Sequence, residues 1–235
     1  VTKNIDVNKK YSLSDFYSKD ENILLDKVDA IFSKLSPEEQ VGQMIVVAAG
    51  QYGKSKEIIN GLIKNKNVGG VLMLKGSRNE FTSLIKEFTT TAASTKNCLP
   101  LVFSCDAEPS LIKMKISGSP DFPETSSIKD KKEAYKTGDE IAKYIKGLGF
   151  HQNFAPVCDF NINEEIIGDR SFGHNPTNVS NLANEFIRAT QENNIVATAK
   201  HFPGHGDVDV DSHYDLPVIN KTMKQLDSME LVPFR

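Results

Sequence analysis

Cysteine is scarce: Cys98, Cys105 and Cys158 are odd in number and lack metal-type spacing, so neither a disulfide framework nor a zinc knuckle is indicated and the three read as buried thiols. Basic charge is not in excess. With 28 Lys and Arg against 31 Asp and Glu the formal net charge is −3, and the lysines are scattered, which removes the electrostatic case for nucleic acid as a partner. No uninterrupted apolar run approaches the length needed to cross a bilayer. The opening Val1-Thr2-Lys3-Asn4-Ile5-Asp6 has neither the basic nor the apolar region of a signal peptide, and without a methionine it reads as a processed or trimmed start. Internal repeats are absent. So is a glycine-rich turn after an early strand, because Val68-Gly69-Gly70 precedes its strand, and a doubly wound nucleotide-binding sheet is disfavoured.

What is present is enough for a proper core. The chain has 235 residues, 39% of them hydrophobic and 25% charged, the size of one α/β barrel or two small domains. Residues 1–35 are polar, with one amphipathic helical segment around Ile23-Leu24-Leu25, Val28 and Ile31-Phe32, and read as an extension. Ser36-Pro37-Glu38-Glu39 supplies a helix cap, a proline at the first helical position and a glutamate at the third, so the main domain is placed at 36–235. Within it, near-continuous apolar runs at Met44–Ala48, Gly70–Leu74, Leu101–Cys105, Phe154–Val157 and Val196–Lys200 predict strands buried on both faces of a parallel sheet. Helical segments are predicted between and after them at Lys56–Lys64, Glu80–Ala93, Lys131–Leu148, Asn178–Glu192 and Met223–Leu231. Asp106 and Glu108, Asp159, and Lys200-His201 each fall just past a predicted strand, where a barrel gathers its active site. The expected fold is α/β, a (β/α)8 barrel of which about five of eight strands are visible.

Three constellations carry chemistry. In Lys200-His201-Phe202-Pro203-Gly204-His205-Gly206 the proline and glycines prevent a regular helix, so His201 and His205 do not share a helical face as zinc ligands would. The polar ends of Lys200 and His201 instead leave a strand into a turn that a hydroxyl-rich ligand can approach. In Asp211-Ser212-His213, residues two apart point the same way in an extended loop, so Asp211 can orient His213 as a proton-transfer dyad. In Asp169-Arg170-Ser171-Phe172-Gly173, Arg170 offers a planar, permanently charged fork for a carboxylate or adjacent hydroxyls. A carboxylate cluster of Asp207, Asp209 and Asp211 lacks the glycine and terminal glutamate of a calcium loop.

Together these residues resemble the N-terminal barrel of glycoside hydrolase family 3, in its bacterial β-N-acetylglucosaminidase branch. The likeness runs from about residue 20 to 235. It rests on Leu35–Met44, Asn153–Asp159, Asp169–Gly173, Lys200–Gly206, Asp211-Ser212-His213 and the closing Glu230-Leu231-Val232-Pro233-Phe234. It implies that Asp106, Arg170, Lys200 and His201 bind the terminal sugar, that His213 is the catalytic acid/base, and that Asp211 orients and charges it. It also implies a carbohydrate substrate, cell-wall muropeptides or related glycans, and neither metal nor organic cofactor. Two departures stand out. Pro109–Lys115 replaces the family's glycines and sugar-gripping arginine, with Met114 in the arginine's place and Lys113 or Lys115 as a point-charge substitute. The nucleophilic aspartate expected of the family lies beyond Arg235, so the barrel reads as truncated, with a C-terminal remainder, a further domain or a second copy to cover its open sides. An exported bacterial protein, periplasmic or extracellular, is expected, with the cytoplasm as the alternative. Two other functions compete: a non-catalytic carbohydrate-binding protein of the same fold, and a metal-dependent hydrolase using His201, His205, Asp207 and His213.

Overall fold

The computed structural model describes residues 13, 22–162, 167–205 and 218–235. Its first helix, α1 (Asn22–Phe32), carries exposed Leu25, Val28, Ile31 and Phe32. Ser36 then caps α2 (Pro37–Gln43) reciprocally with Glu39, as its sequence predicts. From there strands and helices alternate: β1 (Val46–Ala49), α3 (Lys56–Lys64), β2 (Gly70–Met73), β3 (Gly76–Ser77), α4 (Arg78–Ser94), β4 (Val102–Cys105), α5 (Ile112–Lys115), β5 (Ile116–Ser117), α6 (Lys131–Leu148), β6 (Gln152–Asn153), α7 (Pro176–Glu192), β7 (Val196–Ala197) and α8 (Met223–Ser228).

The main sheet is parallel throughout and ordered β1-β2-β4-β6-β7, each strand beside the one that precedes it in the chain. That order decides the fold class. A doubly wound sheet reverses direction at a switch point, whereas a barrel adds every strand on the same side. The chain is therefore an α/β, singly wound arc of five barrel strands. The short strands β3 and β5 pair with each other in a separate two-stranded sheet.

One face of the arc is dry. Val71 and Met73 of β2 stand in register with Phe103 and Cys105 of β4, and all four join Phe81, Phe88, Ile141, Ile145 and Phe186 of the helices in one core. Phe81 meets Phe150 edge to face at 6.0 Å. Gly138 brings α6 against α7, since a β-carbon there would lie 2.7 Å from the Phe186 carbonyl oxygen. Burying each large apolar side chain contributes about 1.5–3 kcal/mol, and this layer holds the strand ends in place.

Three predicted boundaries are corrected. The ladder forms at Gln152–Asn153, and of the predicted Phe154–Val157 only Val157 keeps an isolated bridge, because Pro156 has no N–H to donate. The last strand ends at Ala197, although Lys200 keeps a bridge to Val157. Helix α8 stops at Ser228, and Val232–Phe234 forms a tighter turn around Pro233. The thiols also differ from expectation. Cys105 and Cys158 are buried, and burial pushes Cys158 up to about 12, but Cys98 is only half-buried.

Candidate active site

The register Cys105↔Asn153 brings the carboxyl ends of β4 and β6 together. There the Asn153 amide brackets Ala107: the Ala107 N–H donates to Asn153 Oδ1 at 2.9 Å, and Asn153 Nδ2 donates back to the Ala107 carbonyl at 3.1 Å. Both bonds are buried, so the turn carrying Asp106 on one side and Glu108 on the other is fixed from beneath. Lys200 follows β7, and its main chain is tied to the same region by Lys200 N–H to the Pro156 carbonyl and Cys158 N–H to the Lys200 carbonyl. Its side chain then reaches back across the strand ends. Lys200 Nζ lies 2.5 Å from Asp106 Oδ1 and 2.5 Å from Glu108 Oε1.

Arg170 completes the group. It closes a short turn, Gly168–Arg170, which is pinned to the loop after β4 by Ser110 Oγ donating to the Asp169 carbonyl at 2.8 Å. From that turn the guanidinium meets Glu108 as a fork, Nε at 2.8 Å and Nη2 at 2.9 Å. Burial alone would raise the Glu108 pKa. The Arg170 fork and the Lys200 charge outweigh it and hold the carboxyl at about 2, while Glu108 in turn raises the Arg170 pKa. Three of the four residues expected to bind sugar, Asp106, Arg170 and Lys200, thus form one network, and Glu108 is the group that joins Arg170 to it.

His201 is placed by a different carboxylate. Asp159, whose side chain is fully buried, accepts from the His201 main-chain N–H at 3.1 Å and lies 2.5 Å from His201 Nδ1 through the same oxygen, while its other oxygen accepts from the His205 N–H at 2.6 Å. An ionised carboxylate only accepts, so Nδ1 carries the proton and Nε2 is left as the acceptor. The turn from His201 to His205 is therefore stapled to the floor of the site. The peptide between Lys200 and His201 is cis.

The expected catalytic pair, His213 and Asp211, lies outside the described residues, as do Asp207 and Asp209. Among the described residues no three His, Cys, Asp or Glu side chains are placed to hold a metal ion. The His201 and His205 rings stand edge to face with centroids 5.7 Å apart.

From the sequence, Glu108 and Asp159 fall just past predicted strands with no role assigned, and Asn153 stands out only as the start of the Asn153–Asp159 stretch. Asp159 had a readable signal: a carboxylate directly after the apolar run Phe154–Cys158 is buried by its neighbours and requires partners. Glu108 had none beyond its place after β4. In the Pro109–Lys115 departure, Lys113 turns outward to Asp121 and Met114 is 61% exposed. Lys115 Nζ lies 3.6 Å from Asp106 Oδ2.

A singly wound parallel arc with a charged cluster at the carboxyl ends of its strands is the architecture of a barrel enzyme. Residues 36–235 match the model of the glycosyl hydrolase family 3 N-terminal domain, and the chain belongs to that family. A β-hexosaminidase of Idiomarina loihiensis is 32% identical over 165 residues, covering 67% of this chain and 48% of that protein. A β-hexosaminidase of Tolumonas auensis is 31% identical over 182 residues, 74% of this chain and 53% of that protein. The chain spans about half the length of these curated relatives. Among solved structures, a glycoside hydrolase family 3 β-N-acetylglucosaminidase from Paenibacillus sp. str. FPU-7 aligns with a TM-score of 0.76 at 31% identity, over 85% of this chain and 39% of that one. The β-glucoside phosphorylase BglX shares the fold, with a TM-score of 0.79 at 20% identity.

Proposed function

We propose that this chain forms the terminal-sugar side of the active site of an exo-acting, retaining β-N-acetylglucosaminidase. The observation that carries the reading is the Asp106–Lys200–Glu108–Arg170 network at the carboxyl ends of the strands, which offers both acceptor and donor atoms to ring hydroxyls in a partly dry setting. The family and the names of the relatives support N-acetylglucosamine as the sugar it holds.

The reaction divides the work. Asp106, Lys200, Arg170 and His201 position the terminal sugar, so that binding energy fixes the anomeric carbon. His213, oriented by Asp211, donates its proton to the glycosidic oxygen as the C–O bond breaks, and a carboxylate on the opposite face forms the glycosyl ester. Water deprotonated by His213 then cleaves the ester and releases the sugar with its β configuration kept. Asp106, Glu108 and Asp159 are each committed to cations or main-chain N–H groups, so none of the three serves as the nucleophile. Muropeptides and related glycans are the substrate class.

The test is hydrolysis of a chromogenic β-N-acetylglucosaminide by the complete gene product. Turnover by the protein, abolished in His213→Ala with N-acetylglucosamine binding retained, is the expected result. Sugar binding without turnover in the unaltered protein would replace the enzyme with a carbohydrate-binding protein of the same fold. Activity lost to a chelator and restored by a metal ion would sink the metal-free mechanism.

A further inference from the structure

The segment Pro109–Lys115 gives this pocket a cation of its own. Helix α5 is a single turn in which Ile112 and Lys115, three residues apart, share a side. Ile112 is buried in the core, so the same turn that plugs Ile112 inward holds Lys115 half-buried at the pocket, with Lys113 and Met114 left facing out. The position is rigid. The Lys115 N–H is bonded to the Leu111 carbonyl, and β5 begins at the next residue and pairs with β3.

The ion pairs then read as one alternating string: Lys115, Asp106, Lys200, Glu108, Arg170. It has three cations and two anions, with a cation at each end. The two internal contacts of Lys200 are 2.5 Å, but Lys115 Nζ stands 3.6 Å from Asp106 Oδ2, beyond a hydrogen bond. The Lys115 ammonium is thus attracted to the sugar-facing carboxylate without spending its three N–H donors on it.

We infer that Lys115 is a further sugar-binding residue, a point-charge donor to a ring oxygen or hydroxyl whose own proton goes to Asp106. This rests on the terminal-sugar site proposed above. One hydroxyl held in this way accepts from Lys115 and donates to Asp106, so the pair selects a ligand with a hydroxyl at that place. A freely rotating ammonium needs no planar partner, unlike a guanidinium fork.

The inference is tested by calorimetric titration of N-acetylglucosamine into the unaltered protein, Lys115→Met, Lys115→Gln, Lys113→Met, Asp106→Asn and the Asp106→Asn/Lys115→Met double variant. A hydrogen bond to a charged group corresponds to a loss of about tenfold to a hundredfold in affinity for Lys115→Met and Lys115→Gln, and Lys113→Met should stay within about twofold. The Lys115→Met loss should shrink but remain in the Asp106→Asn background, because the direct contact with the sugar survives while the hydroxyl that the two residues share is held less firmly. Affinity unchanged in Lys115→Met, or a loss that vanishes once Asp106 is neutral, overturns the assignment and leaves the proposed function standing. Failure of the unaltered protein to bind N-acetylglucosamine overturns both.

Discussion

Glu108 has 1% of its side chain exposed and two cations against it, so its burial is tolerated only because both partners are in place. Glu108→Gln leaves Arg170 and Lys200 to share Asp106, and breaking a buried pair in this way costs about 3–5 kcal/mol. Chemical denaturation should record that loss, and sugar affinity should fall with it. The pH dependence has a fixed sign. Because the folded carboxyl titrates at about 2 and the ordinary value is 4.5, its contribution is present above about pH 5 and drains away as pH falls toward 2. Melting temperature against pH should therefore drop more steeply on the acid side in the unaltered protein than in Glu108→Gln. Asp159→Asn makes a separate prediction. Its amide cannot accept from the His201 N–H, His201 Nδ1 and the His205 N–H together, so the turn should loosen by about 1–3 kcal/mol. The hydrogen-bonded Nδ1–H proton of His201 should disappear from the downfield NMR spectrum; its retention would mean that another group sets the tautomer.

At the level of elements, what was readable depended on capping and on length. Lys56–Lys64 and Lys131–Leu148 are bounded by Ser55 and Asp130, whose side chains accept from the third helical N–H, and α6 ends on the left-handed Gly149. Those boundaries are written in the chain. Strand β6 is two polar residues, Gln152 and Asn153, next to an apolar run that looks more like a strand than the strand does. Its pairing is imposed by the neighbours on both sides, which no local pattern encodes. The same logic separates the site residues: Asp106, Arg170 and Lys200 were legible from motifs, whereas Asn153 acts through a backbone 46 residues away. Gly138→Ala tests the helix layer. Its β-carbon would press on the Phe186 carbonyl at the α6–α7 contact, so stability should fall by about 1–3 kcal/mol. For a chain of this size that is roughly 2–4 °C of melting temperature per kcal/mol. An unchanged melting temperature would mean that α6 and α7 can separate without loss.

Across the whole molecule, protection should follow the core and not the helix content. Hydrogen exchange is expected to be slowest in Gly70–Met73, Val102–Cys105 and Ile141–Leu148, which surround the buried phenylalanines, and faster in α1, whose apolar residues remain exposed. Equal protection of α1 would show that its exposed face is covered in solution. The first edge of the arc has a similar character: Val41, Met44, Ile45 and Val46 are exposed beside a groove of about 590 Å³ lined also by Leu62 and Val68. The strand order has a consequence for how the arc is made. Each of these strands finds its partner in the stretch of chain just before it, and none waits for a distant segment to be inserted between earlier neighbours. A polypeptide leaving the ribosome can therefore lay the arc down one strand and one helix at a time, each new unit docking on a finished edge. The charged pocket is the exception to that order. Glu108, Arg170 and Lys200 emerge far apart, so this charged end of the molecule sets last, after the wall that supports it is already standing.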